Sequence, residues 1–183
     1  MSKISPLPLS FYKGVGGKFG AVQFRFREPH FYCVECKFKV YDGILPPDVC
    51  PSCKVGKMKT REGCLFMEIT SAIGPNEYDW DNKVSMSLSI VDLSKMLLVL
   101  EGAIDNVELL HDPGAKTSDQ GKVQKNFSLS SPQGLKVGAM LFARQNDKEI
   151  NKTVSHTVGI NASEAKRLAV AIRAVIPRAL AWD

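Results

Sequence analysis

Lys83-Val-Ser-Met-Ser-Leu-Ser-Ile90, followed by Val91-Asp-Leu-Ser-Lys-Met-Leu-Leu-Val-Leu-Glu-Gly102, carries the pattern that decides the fold. In the first half Val84, Met86, Leu88 and Ile90 alternate with Ser85, Ser87 and Ser89, the period-2 signature of a strand with one buried face. The period then changes. Ser89 is placed to cap a helix, and Asp92, three residues on, completes a capping box. Leu93, Met96, Leu97 and Leu100 form one apolar stripe, and Gly102 ends it.

The same succession recurs to the end of the chain. Strands are predicted over 107–111, 122–130, 135–144 and 151–159, with turns at Asp112-Pro-Gly114, Ser131-Pro-Gln-Gly134 and Asn146-Asp147. Asn161 then caps a helix, Glu164 completes its box, and Ala165, Leu168, Ala169, Ile172, Val175, Ile176, Ala179 and Leu180 keep helical spacing. Pro177 is expected to kink or end that helix. Upstream, 18–27 alternates, with Val22, Phe24 and Phe26 on one face and Gln23, Arg25 and Arg27 on the other. A further strand is predicted over 63–73, and 1–17 is read as an irregular arm. Strands, helix, strands, helix is the order of an α+β domain with antiparallel sheets.

Between the first two strands lie Cys33-Val-Glu-Cys36 and Cys50-Pro-Ser-Cys53. Each C-x-x-C turn places two sulfurs on one side of a tetrahedral ion, and the pair is the spacing of a zinc ribbon. Disulfides or redox dithiols are the alternative, but no secretory signal precedes the cysteines. Four thiolates fill the coordination sphere, so the expected Zn2+ is structural, one per chain. His30 is a nearby competing donor that a four-cysteine site does not need. Cys64, in an apolar run, is read as a buried thiol.

The chain has 183 residues, 44% hydrophobic and 23% charged, and a net charge of +5. The charge is uneven. Residues 1–62 hold 11 Lys and Arg against 5 Asp and Glu; residues 63–183 hold 13 against 14. A basic first third favours a polyanion partner. No apolar run approaches the ~20 residues of a membrane span, and no secretion or transit signal is evident, so an intracellular setting, cytoplasm or nucleoid, is expected. Catalysis has no support. His30, His111 and His156 sit in no nucleophile or metal motif, and Asp79, Asp81 and Asp92 read as caps and solvated carboxylates. No catalytic residue is assigned.

From Gly63 onward the chain resembles the Whirly family of single-stranded DNA-binding proteins. Tyr78-Asp-Trp80 before the Ser85–Ser89 strand resembles the family's tyrosine-aspartate-tryptophan segment and the strand after it. Glu108-Leu-Leu-His-Asp-Pro113, Gly121-Lys-Val-Gln-Lys125 and Val175-Ile-Pro-Arg-Ala-Leu-Ala-Trp182 resemble three further family motifs. Tyr12-Lys-Gly14 and Lys18-Phe-Gly-Ala-Val22 look like a loosened form of its DNA-contacting strand, lengthened by Val15-Gly-Gly17. The resemblance covers about two-thirds of the chain; a zinc ribbon replaces the family's loop between the first two strands. A phage, viral or other microbial relative fits better than a plant organelle form.

The resemblance implies two antiparallel four-stranded sheets packed crosswise, two helices, and a homotetramer. It divides the chain into an arm and first strand at 1–29, an inserted zinc ribbon at 30–58, and the rest of the Whirly-like domain at 59–183. Sequence-tolerant single-strand binding needs a basic track and stacking platforms. Lys13, Lys18, Arg25, Arg27, Lys122 and Lys125 are the candidates for the track; Tyr12 and Phe19 are the candidates for stacking. Phe24, Phe26, Trp80 and Trp182 are read as core or interface positions, and Lys95, Lys166 and Arg173 as solvated helix positions. The expected function is non-catalytic binding of single-stranded DNA, with RNA as a second ligand class, in replication, recombination or transcription. The alternative is a transcription-complex subunit whose ribbon docks a polymerase or another replication or transcription protein.

Overall fold

The computed structural model describes residues 9–13, 20–41, 48–112, 121–131 and 138–180. Strand β2 (Gly20–Arg27) pairs on one side with β1 (Leu9–Tyr12) and on the other with the long β6 (Cys64–Gly74). Strand β8 (Val84–Leu88) runs along β6 over Leu65–Ile69, and the two-residue β7 (Glu77–Tyr78) pairs with the far end of β6. All these pairings are antiparallel. β1, β2, β6 and β8 thus make the expected four-stranded sheet, and the two-residue β7 adds a fifth strand.

The arm expected to be irregular contributes β1. Only four residues separate Pro8 from Lys13, too short a run for a period to be read. Yet Phe11 is 2% exposed and packs edge-on against Phe24, with ring centroids 6.5 Å apart.

The second sheet is a four-stranded meander: β9 (Asn106–His111), β10 (Val123–Ser130), β11 (Ala139–Asp147) and β12 (Lys152–Ile160). β12 touches β2, β6 and β8, three neighbouring strands of the first sheet, so it runs across them. Gly20 lies at that crossing. A Cβ there would stand 2.0 Å from the carbonyl oxygen of Thr70 on the paired strand β6 and 3.0 Å from Val158 of β12, so a side chain would force β2 off β6 and press on the second sheet.

Two helices close the core. α1 (Ile90–Leu100) follows β8 directly; Ser89 accepts from the Asp92 amide, and Asp92 accepts from the Ser89 amide, the predicted capping box. Gly102, at φ 77°, takes the left-handed conformation that turns the chain away after the helix. α2 (Ala162–Ala179) is capped in the same manner by Asn161 and Glu164. It buries Leu168, Ile172 and Val175 and continues two residues past Pro177 before ending. The core joins Val22, Phe24, Met67, Leu88, Met96, Phe127, Leu141, Leu168 and Ile172. Each such side chain contributes about 1.5–3 kcal/mol by leaving water.

A third, small sheet carries the cysteines. β3 (His30–Cys33) is flanked by β4 (Lys39–Val40) and β5 (Met58–Arg61). Its ladder extends through His30 opposite Arg61, three residues beyond the expected limit at 58. Phe31, Cys33, Cys50 and Met58 form its own core. Among the described residues no helix is long and apolar enough to cross a membrane.

Candidate metal centre and nucleic-acid face

Backbone geometry brings the four cysteines together. Each C-x-x-C is followed by a lysine in the left-handed region, Lys37 at φ 62° and Lys54 at φ 63°. The Lys37 amide donates to the Cys33 carbonyl (3.2 Å) and the Lys54 amide to the Cys50 carbonyl (2.9 Å), so the two turns have the same shape. The sulfurs of Cys33 and Cys53 are 3.7 Å apart, those of Cys36 and Cys50 3.6 Å, and all four lie within 4.8 Å of one another. A disulfide requires about 2.05 Å, so these are four free thiols. Sulfurs at the corners of a tetrahedron about 2.3 Å from a central ion stand about 3.8 Å apart. The arrangement therefore fits a four-thiolate metal site. Neither His30 nor Cys64 belongs to it.

The surroundings favour thiolate at Cys53 and oppose it at Cys36. The amides of Val55 and Gly56 hold the Cys53 thiol down at about 6. The Phe38 amide lowers Cys36 too, but desolvation and the three neighbouring sulfurs carry it up to about 11. Four like groups this close resist ionising together, and a divalent cation relieves that repulsion. Gly56 is the residue this packing demands. A Cβ there would lie 2.2 Å from the Cys33 sulfur and 3.2 Å from the Cys53 sulfur.

A second site lies on the outward face of the first sheet. The register puts Gln23, Arg25 and Arg27 of β2 beside Glu68, Phe66 and Cys64 of β6, and Phe66 and Glu68 beside Ser87 and Ser85 of β8. The Arg27 guanidinium sits over the Phe66 ring, 4.1 Å from its centroid. Glu68 occupies the middle. Its carboxylate is 2.7 Å from Lys83 Nζ and 3.9 Å from Arg25 Nη2. At one end Tyr12, 52% exposed, accepts from Gln23 Nε2 (3.0 Å) and neighbours Tyr78 at 5.4 Å, which neighbours Trp80 at 6.4 Å. The face carries Tyr12 and Tyr78, with Trp80 next to Tyr78 just beyond the strand, and leads to Arg25 and to Arg27 over the Phe66 ring.

The predicted contact residues do not all gather here. Tyr12, Arg25 and Arg27 do. Lys13 is turned towards α2 and paired with Glu164. Lys125 lies on the inward side of β10; its ammonium donates to the Ser85 carbonyl (2.7 Å), tying the sheets together, and burial lowers its pKa. Lys122 is paired with Glu149 at 2.9 Å. Lys18, Phe19 and Trp182 lie outside the described residues. Three residues of the face were not singled out from the sequence for contact: Phe66, Tyr78 and Lys83. Tyr78 carried a readable signal, since it alternates with Trp80; Phe66 lay in the apolar run Cys64-Leu-Phe-Met67, which shows no face. Trp80, expected in the core or an interface, is half-buried and closes the aromatic row. Asp79 is a cap, as expected: it accepts from the Asn82 amide.

The geometry agrees with what the chain resembles. The family model described as Whirly transcription factor matches residues 45–171. The chloroplastic single-stranded DNA-binding protein WHY3 of Arabidopsis thaliana is 32% identical over 126 residues, 68% of this chain and 46% of that protein. The chloroplastic single-stranded DNA-binding protein WHY1 of Solanum tuberosum is 30% identical over 124 residues, 67% and 44% of the two chains. The chain spans about half the length of the curated relatives it matches. These are plant proteins named chloroplastic or mitochondrial, where the sequence alone favoured a microbial relative. The crystal structure of WHY3 from Arabidopsis thaliana is similar at a TM-score of 0.72 and 25% identity, over 96% of this chain and 89% of that one. The plant transcriptional regulator PBF-2 gives 0.70 and 25%, over 96% and 83%. With the family model covering well over half of its residues, the chain belongs to the Whirly family.

Proposed function

We propose that this protein binds single-stranded DNA on the outward face of its first sheet, without catalysis. One observation carries the reading. A single sheet face holds Arg25 and Arg27 beside Phe66, together with Tyr12 and Tyr78, and Trp80 stands next to Tyr78. Cations neutralise phosphates, and rings stack on any base, so such a face is tolerant of sequence. The relatives named as single-stranded DNA-binding proteins support the choice of ligand. The role would be to protect or present single strands in replication, recombination or transcription.

The four-thiolate set is soft and closed, which favours zinc in a structural role. Five unpaired cysteines suit a reducing compartment. The assembly we propose is a homotetramer, which light scattering at micromolar concentration tests; a monomer would contradict it. For binding, the test is fluorescence anisotropy with oligo-dT. Arg25→Ala with Arg27→Ala should weaken binding and reduce the salt slope by about 0.7 per lost phosphate contact. Lys166→Ala with Arg173→Ala, on α2, should change little. The reverse ranking would place the binding face elsewhere.

A further inference from the structure

The ribbon has an open face that its own folding does not use. Its core is made by Phe31, Cys33, Cys50 and Met58, with Val40 packed against them. The alternate positions point the other way. Tyr32 of β3 lies between Lys39 of β4 and Lys59 of β5, and His30 lies opposite Arg61. His30 neighbours Tyr41 at 5.2 Å and Tyr32 at 6.4 Å. Its Nδ1 is held 3.2 Å from the Glu28 carbonyl, which orients the ring. Tyr41 is 49% exposed, and Lys39, Lys59 and Arg61 are all exposed.

Two features set this face apart. A two-sided ribbon of this size needs one apolar side; three rings on the other add nothing to the metal site. The cations are also available to a ligand. In the body Lys13, Arg25, Lys83, Arg173 and Arg178 each have a carboxylate within 4.0 Å, while Arg27 has none among the described residues. Among the described residues Lys39, Lys59 and Arg61 have none. Rings flanked by unpaired cations on a flat sheet match the chemistry of exposed bases on a phosphate backbone.

We propose that this face, His30, Tyr32 and Tyr41 with Lys39, Lys59 and Arg61, is a second contact surface for single-stranded nucleic acid. It rests on the reading that the body of the protein binds single strands, and it gives the ribbon a direct share in that binding. A duplex keeps its base faces stacked inside, so this surface selects single strands. A protein partner is the rival occupant, and the test separates the two.

The 183-residue, metal-loaded chain is irradiated with oligo-dT carrying 5-iodouracil, and crosslinked peptides are mapped. An oligo-rU carrying 5-iodouracil distinguishes DNA from RNA. Crosslinks to Tyr32 or Tyr41 are expected, and they should survive in the Arg25→Ala, Arg27→Ala chain. Tyr32→Ala with Tyr41→Ala should weaken oligonucleotide binding at least about fivefold while metal content is unchanged. Tyr32→Phe with Tyr41→Phe, which keeps both rings and the fold, should bind as the parent does. Crosslinks confined to the body, or full binding by the alanine pair, would overturn the ribbon surface and leave the body's role intact. No crosslink anywhere would overturn both.

Discussion

Arg27 rests its guanidinium on the ring of Phe66, 4.1 Å from the centroid, on the solvent side of the first sheet. The pair joins a phosphate-seeking group to a base-stacking one. Phe66→Ala should therefore do two things at once: remove a platform and free Arg27 from its seat. Stacking is worth about 1–3 kcal/mol per base by alanine substitution, so anisotropy should show at least about fivefold weaker binding to oligo-dT. Phe66 is only half-buried, so thermal stability should fall far less than for Phe24→Ala, which empties the core. Unchanged affinity in Phe66→Ala would remove this residue from the face.

On the proposed face, Glu68 should oppose ligand binding. It stands between Arg25 and Lys83 and competes with phosphate for both. Glu68→Gln keeps the shape and removes the charge. Oligonucleotide affinity should rise and the salt slope should steepen, because each freed cation can neutralise a phosphate and release its counterion. Weaker binding by Glu68→Gln would mean that the carboxylate orders the cations productively.

The geometry of the four-cysteine cluster depends on Gly56. A Cβ at 2.2 Å from the Cys33 sulfur cannot be accommodated without moving a ligand. Gly56→Ala should lower metal occupancy, and Cys50→Ser should lower it further, measured as zinc per chain after dialysis. The sheets of the body have their own core, so their unfolding transition should persist. Loss of the whole fold in Cys50→Ser would show that the ribbon supports the body.

At the start of α1, burial raises the Asp92 carboxyl, but hydrogen bonds from His111 and Ser89 outweigh it and hold it below the usual range. A depressed folded-state value means the unfolded chain takes up the proton first. The stabilisation is present above the ordinary value of about 3.9 and is lost as pH falls through the folded value. Asp92→Asn should therefore lower Tm at pH 7, and the gap from the parent should shrink towards pH 3. A gap independent of pH would assign the effect to shape alone.

Local rules were legible in the sequence wherever a period or a cap carried them. Val84, Met86 and Leu88 gave one strand face, although Ile90, read as its last position, opens α1 instead; Ser89 and Asp92 gave a helix start, and the cysteine spacing gave the four-thiol cluster. What depends on distant partners was not legible. Nothing near Lys13 announces Glu164, 151 residues away. Lys125 reads as one more surface lysine until its ammonium is found on the Ser85 carbonyl. Phe66 appeared as one apolar residue in a run because alternation reveals a face only when its neighbours differ, and Leu65 and Met67 are apolar as well. β1 is too short to show a period.

The central claim is that the rings and arginines of this sheet face select single strands. The most direct measurement is affinity for oligo-dT and for a duplex of equal length, each across a salt series. The account predicts tighter binding to the single strand at every salt concentration, with affinity for both falling as salt rises, since phosphate contacts release counterions in each case. Equal affinity for the two forms would contradict it, because a surface that reads only phosphates has no use for Tyr12, Phe66 and Tyr78.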